Sequence, residues 1–202
     1  MPKQVDLVEQ RRTIAAAAVA VIDKAGIDGA RLRDVAAAAN VTTGAVTHYF
    51  DGKDAVLEAA LAEVVRRMLE RPAPATNAPF DSASCIELFC GYLPLDAQGL
   101  GEWRVWLAFW GRAMTDERLA AVHRRYYEEI VERITHRLST IPGAPAQQEL
   151  GIYADSVLSA IDGVGTRATL EPQSWPAERQ RRTLSALLLP LLTTLANGTR
   201  EV

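Results

Sequence analysis

Side chains able to make or break bonds are few in this sequence and do not converge. Of its three histidines, His48 stands apart, and His123 and His136 lie thirteen residues apart on one expected helix, so they point different ways. No Ser, Cys or carboxylate stands where it would pair with one of them as nucleophile and base. Cys85 and Cys90 are five apart in an apolar helical stretch, do not face each other, and read as buried free thiols of a reducing compartment. No further ligand at zinc-type spacing accompanies them, so no metal and no cofactor is expected. The sequence therefore speaks for recognition rather than catalysis, through a Thr-rich cluster at 42–47 and an aromatic face around 103–127.

The Thr cluster has hydrogen-bonding chemistry suited to a nucleic acid. Thr42, Thr43, Thr47 and His48 can reach phosphates or base edges, and threonine also offers a methyl to thymine. Gly44, with Ala45 beside it, leaves the front of its helix bare so that backbone can approach DNA. Tyr49 and Lys53 suit phosphate contacts where the chain leaves the groove, and Arg33 is a second local cation. Such residues work only on a rigid frame. Helix 2 is expected over Leu32 to Ala39, followed by a left-handed turn at Asn40. Thr42 caps helix 3 through the N–H of Gly44 or Ala45, and helix 3 ends near Tyr49-Phe50. Asp51-Gly-Lys-Asp54 then opens helix 4. Ala36 and Ala37 let helices 2 and 3 cross closely, with Val35, Val41 and Val46 between them. This is the layout of a helix-turn-helix, whose second helix enters the major groove. A plain helical hairpin would not need the Asn turn, the Thr cap and the Gly front together.

Electrostatics tempers this reading. Residues 1–55 hold Lys3, Arg11, Arg12, Lys24, Arg31, Arg33 and Lys53 against Asp6, Glu9, Asp23, Asp28, Asp34, Asp51 and Asp54, seven against seven. Attraction to DNA then depends on local placement of Arg33 and Lys53 and on helix N-termini, and one protomer should show a shallow salt dependence.

In helix 6, expected over Glu102 to Met114, Trp103, Trp106, Leu107, Trp110 and Met114 share one apolar arc, with Arg104 and Arg112 outside it. With Phe89, Phe109, Tyr126 and Tyr127 these rings can hold an apolar ligand. They can also hold an organic cation by cation–π attraction, worth about 0.5 to 2 kcal/mol per ring. Glu102 or Asp162 would then be the counter-charge. The same rings can equally be plain core, and both readings stand.

The remaining segments also read as helices: helix 1 from Asp6 to Ala25, stopped at Gly26; helix 5 over Ser82 to Leu93; and helix 7 to about Leu138, capped by Thr115. Helix 8 covers Ala146 to Leu170 and helix 9 Ala177 to Ala196, with a Pro-rich loop at 72–79 as the clearest interruption. Leu187, Leu189 and Leu192 make helix 9 apolar beyond one face, so it is expected to be buried on more than one side. The expected fold class is all-α with nine helices. Of 202 residues 49% are hydrophobic and 23% charged, with a formal charge of −3, ordinary for a soluble globular chain. The apolar run after Arg11-Arg12 lacks a small-residue cleavage site and keeps a helical stripe, so it reads as a packed helix rather than an export signal. Leu184 to Ala196 is too short to span a bilayer and contains Pro190. A cytoplasmic protein is expected.

Residues 8–57 resemble the head of TetR-type repressors. They show Val35-Ala36, then Ala39-Asn40-Val41-Thr42-x-Gly44, then His48-Tyr49-Phe50, Lys53 and Leu57. Thr47 stands where that pattern has an aromatic, and Arg31 where it has a Thr or Ser cap. The rear half is similar to the BetI-like branch through Trp103-Arg-Val-Trp106-Leu-Ala-Phe-Trp110, His123-Arg-Arg-Tyr126-Tyr127 and Ile161-Asp162-Gly163. The resemblance implies a DNA-binding domain over 1–53 and a ligand-binding and dimerisation domain over 54–202. It implies a homodimer joined by helices 8 and 9, placing Tyr153, Val157, Ile161, Leu184, Leu188, Leu191 and Leu195 at the interface. A ligand pocket among helices 4 to 8 is implied too, as is repression of a palindromic operator released by a small-molecule inducer. The competing expectation is a ligand-binding or interaction protein on this scaffold without useful DNA affinity.

Overall fold

Ala- and Leu-rich stretches punctuated by Gly, Pro and Asn favour helix, and helix is what forms. The computed structural model describes residues 3–71 and 81–197, and these carry nine helices and no strand. They are α1 (Lys3–Gly29), α2 (Leu32–Ala38), α3 (Thr43–Tyr49), α4 (Gly52–Glu70), α5 (Ser82–Cys90), α6 (Ala97–Ala113), α7 (Glu117–Ser139), α8 (Gln147–Leu170) and α9 (Ala177–Ala196). The loop expected at 72–79 lies outside the described residues. No helix among the described residues is long and apolar enough to cross a membrane.

Several helix ends differ from expectation for local reasons. Gly26 does adopt a left-handed φ of 66°, yet it only kinks α1, which resumes to Gly29. Helix 7 is capped not by Thr115 but by Asp116, whose carboxylate accepts from the N–H groups of Arg118 (2.9 Å) and Leu119 (3.2 Å). Asp81 caps α5 in the same way, and its carboxyl is held below the usual carboxylate range, chiefly by the Ser84 backbone N–H. Helix α6 starts at Ala97, five residues before Glu102, which brings Gly99 and Gly101 into it.

The chain groups into two compact units, each discontinuous in sequence. One comprises the chain through Glu70 together with Ala97–His123, and its core includes Ile14, Ala18, Val35, Val46, Phe50, Leu57, Leu61, Val105, Phe109 and Leu119. Within it α6 packs on α1 and α4. The approach to α1 is close, because a Cβ at Gly101 would stand 3.1 Å from the Asp23 carboxylate. Ion pairs follow the same seam: Arg104 to Asp23 (2.7 Å), Arg112 to Asp54 (2.9 Å) and Arg118 to Glu58 (3.1 Å). Glu63 on α4 is buried, which by itself raises its carboxyl. Hydrogen bonds from Arg66 and Arg67 outweigh that and leave it below its ordinary value. Arg67 also stands 3.7 Å from Glu102 of α6, a second buried carboxylate, which accepts from Gln98.

The other unit comprises Arg71–Asp96 and the chain from Arg124 onward, with α9 packed on α5 and α8. Its core holds Phe89, Leu93, Ile130, Ile134, Leu138, Leu150, Leu184 and Leu192. Cys85 and Cys90 are buried and free, and burial pushes both thiols up, Cys90 to about 11, so neither is a thiolate at neutral pH. Gln180 is buried and donates from Nε2 to the carbonyls of Pro94 (3.0 Å) and Trp175 (2.9 Å). Trp175 lies between two guanidinium groups, Arg167 at 4.5 Å and Arg179 at 4.4 Å from its ring centroid.

Candidate functional site

The turn between α2 and α3 is built as its residues dictate. Asn40 takes a φ of 55°, and Thr42 Oγ1 accepts from Ala45 N at 3.1 Å. Arg31 provides no side-chain cap for α2, the cost of having arginine where an oxygen would serve. Val35, Ala36, Ala39 and Val46 are buried between the two helices. The opposite side of α3 is open, with Thr42, Thr43, Gly44, Thr47 and His48 exposed and Ala45 and Tyr49 half-buried. At Gly44 an added Cβ would meet nothing nearer than Thr42 Oγ1 at 3.8 Å. Nothing inside the protein requires glycine there, so its effect is on what approaches from outside.

The polar groups of this face are already oriented. The exposed Thr47 hydroxyl donates back to the Gly44 carbonyl at 3.1 Å, with the Thr43 carbonyl at 3.3 Å. His48 meets Tyr49 edge-on, with ring centroids 5.3 Å apart. Lys53 donates to the carbonyl of Asp28 at 3.0 Å, tying the start of α4 to the end of α1. Arg33 lies 3.4 Å from the adjacent Asp34, both well exposed. Sequence reasoning passed over Arg11, an N-terminal cation with no local signal. Its guanidinium donates to the Tyr49 carbonyl at 2.6 Å and lies 4.6 Å from the Phe50 ring centroid.

The expected ligand side chains divide between the two units. In the first, Trp103, Trp106 and Phe109 are buried, and half-buried Trp110 meets His123 edge-on at 6.3 Å. Met114, expected on the same arc, lies past the end of α6 and is 82% exposed. In the second, Phe89 is buried and Tyr126 is half-buried under the Arg125 guanidinium. There the Tyr127 hydroxyl donates to Asp162 Oδ2 at 2.8 Å. Burial pushes the Asp162 carboxyl up to about 6, against the lowering effect of that hydrogen bond. Its partner is 35 residues away, so the sequence marked Asp162 only as a possible counter-charge and through the Ile161-Asp162-Gly163 resemblance.

Of the residues expected to join two copies, Val157, Ile161, Leu184, Leu188 and Leu195 are buried within the single chain, and Tyr153 and Leu191 are half-buried. A 3.6-residue stripe shows that a face is covered, not by which chain. The large apolar side chains left open on α8 and α9 are instead Ile152 (73% exposed), Leu170, Leu187 and Leu189.

Residues 14–60 match the family model of bacterial regulatory proteins of the tetR family, and residues 87–193 match that of the BetI-type transcriptional repressor C-terminal domain. The HTH-type transcriptional regulator BetI of Vibrio parahaemolyticus is 30% identical, over 96% of this chain and 97% of its own. Among solved structures, a transcriptional regulator from Rhodococcus is 30% identical with a TM-score of 0.80, covering 92% of this chain and 97% of its own. A regulator from Saccharomonospora viridis, solved with choline, shares the fold at 20% identity and TM-score 0.74, over 90% of this chain and 96% of its own. Two family models spanning most of the sequence, on an all-helical frame with a helix-turn-helix, place it plainly: the chain belongs to the TetR family of bacterial transcriptional regulators, with a BetI-type C-terminal domain.

Proposed function

We propose that this regulator is a homodimeric repressor that binds a palindromic operator and is released from it by a small-molecule inducer. The observation that carries the reading is α3. It is locked to α2 by buried Val46 and presents Thr43, Gly44, Thr47 and His48 outward on a capped, seven-residue helix. Residues 1–53 read DNA, with Arg33, Thr42, Ala45, Tyr49 and Lys53 flanking the readout, and 54–202 carry effector binding and dimerisation. A charge-neutral head binds weakly alone, so two heads must act together, about 34 to 36 Å apart on successive major grooves. The dimer forms along α8 and α9, whose exposed Ile152, Leu187 and Leu189 need cover. Inducer and operator then weaken each other by the same factor.

For the inducer we propose contacts within the second unit, from Tyr127, Asp162, Tyr126 and Phe89. A half-buried carboxylate and tyrosine rings suit an organic cation, and choline is a candidate because a regulator of the same fold was solved with it. Calorimetry with choline, betaine aldehyde and polyamines tests this, and no heat from any of them removes cations from consideration.

A gel shift with the DNA upstream of the protein's own gene tests the main reading. Two protomers per retarded complex are expected, and Thr47→Ala should lose about 1 to 3 kcal/mol at one base position. The neutrality of the head, seven basic against seven acidic side chains, favours the second reading of a ligand-binding scaffold without DNA affinity. No shift at low salt would establish that one instead.

A further inference from the structure

We propose that Arg11 is a positioning residue for DNA recognition, clamping the C-terminal end of α3 from α1; this rests on α3 being the reading helix. A seven-residue helix is about 10 Å long, too short to be held by its own hydrogen bonds. Its N-terminal end is fixed by Thr42. At its other end the chain leaves in extended form at Phe50 (φ −135°, ψ 129°), which turns the Tyr49 carbonyl away from any following helical N–H. Arg11 meets that carbonyl at 2.6 Å, and the same planar group covers the Phe50 ring at 4.6 Å. Phe50 is itself buried, so the guanidinium grips a fixed point of the core and the helix end in one geometry. A cation is also favoured at the negative end of a helix dipole. Between the two fixed ends, Thr43, Thr47 and His48 keep a single orientation toward the groove.

Arg11 is exposed beside Arg12, so contact with a DNA phosphate is the rival role. The two roles make opposite demands on chemistry. A phosphate contact needs charge, which lysine supplies, and its loss lowers by about one the slope of log affinity against log salt. The clamp needs a planar fork that donates and stacks at once, which lysine does not supply.

The test compares the full-length protein with Arg11→Lys and Arg11→Gln, titrating duplex DNA from upstream of its own gene across a salt series. The expected result is that both variants lose affinity roughly tenfold, the factor for one charge-assisted hydrogen bond, with the salt slope unchanged. Wild-type affinity in Arg11→Lys, or a slope lowered by about one in Arg11→Gln, overturns the clamp in favour of a phosphate contact. Hydrogen exchange on the free protein tests the clamp without any DNA, so it still decides if wild type fails to bind the operator. Faster exchange confined to the Val46–Phe50 amides in both variants is expected, and unchanged exchange there overturns the proposal.

Discussion

Replacing Asp162 by asparagine should make the protein more stable at neutral pH and abolish a defined part of its pH dependence. In the fold, burial pushes the Asp162 carboxyl up to about 6, whereas its ordinary value is 3.8. Well below 3.8 the group is protonated in both folded and unfolded chains and favours neither. As pH rises toward 6, the unfolded chain releases the proton while the folded chain still holds it, so folding loses ground. Above about 6 both are ionised and the loss is complete, amounting to about 3 kcal/mol for a gap of this size. Asparagine keeps the shape, and its Oδ1 can still accept from the Tyr127 hydroxyl found at 2.8 Å. The Asp162→Asn protein should therefore match wild type near pH 4 and exceed it by up to about 3 kcal/mol near pH 8. Urea unfolding at fixed protein concentration across that range measures the difference directly, with concentration held because dimerisation would contribute. A difference that does not grow between pH 4 and pH 6, or a variant less stable at pH 8, would refute the burial argument.

Gly101→Val should cost about 1 to 3 kcal/mol in urea unfolding, because its side chain enters the space where a Cβ already stands 3.1 Å from Asp23; an unchanged midpoint denies the close approach. Gln180→Glu replaces a donor to two carbonyls with a buried acceptor, so a loss of at least about 3 kcal/mol is expected, visible as a lower thermal midpoint. Thr42→Ala should lose about 1 kcal/mol through the α3 cap, with Thr42→Ser close to wild type when both are measured by chemical denaturation.

The parts of this molecule legible in its sequence are those whose determinants are local. Asn40 and Thr42 mark the turn and cap of α3 within three residues, and their geometry follows from side-chain chemistry alone. The exposed Thr face follows from buried Val46 by helical periodicity. Gly26 shows where local signals stop sufficing, since a left-handed glycine can end a helix or merely kink it, and tertiary packing chooses. Pairs that join distant segments left no trace in spacing: Arg11 with Tyr49 is separated by 38 residues and Gln180 with Pro94 by 86. Nor does an apolar stripe say whether its cover comes from the same chain. Val157 and Leu188 are covered within one chain, whereas Leu187, on a helix expected to be buried on more than one side, is open within it.

The seam between α6 and the head constrains how such a regulator can be recombined. Gly101 and three ion pairs fit residues 97–123 to the particular α1 and α4 of this chain. A chimera that grafts this reading head onto another effector bundle at a single junction would leave those helices facing a foreign α6. A working hybrid would have to transplant two separate pieces, the N-terminal helices and α6 with the first turns of α7, as one heritable set.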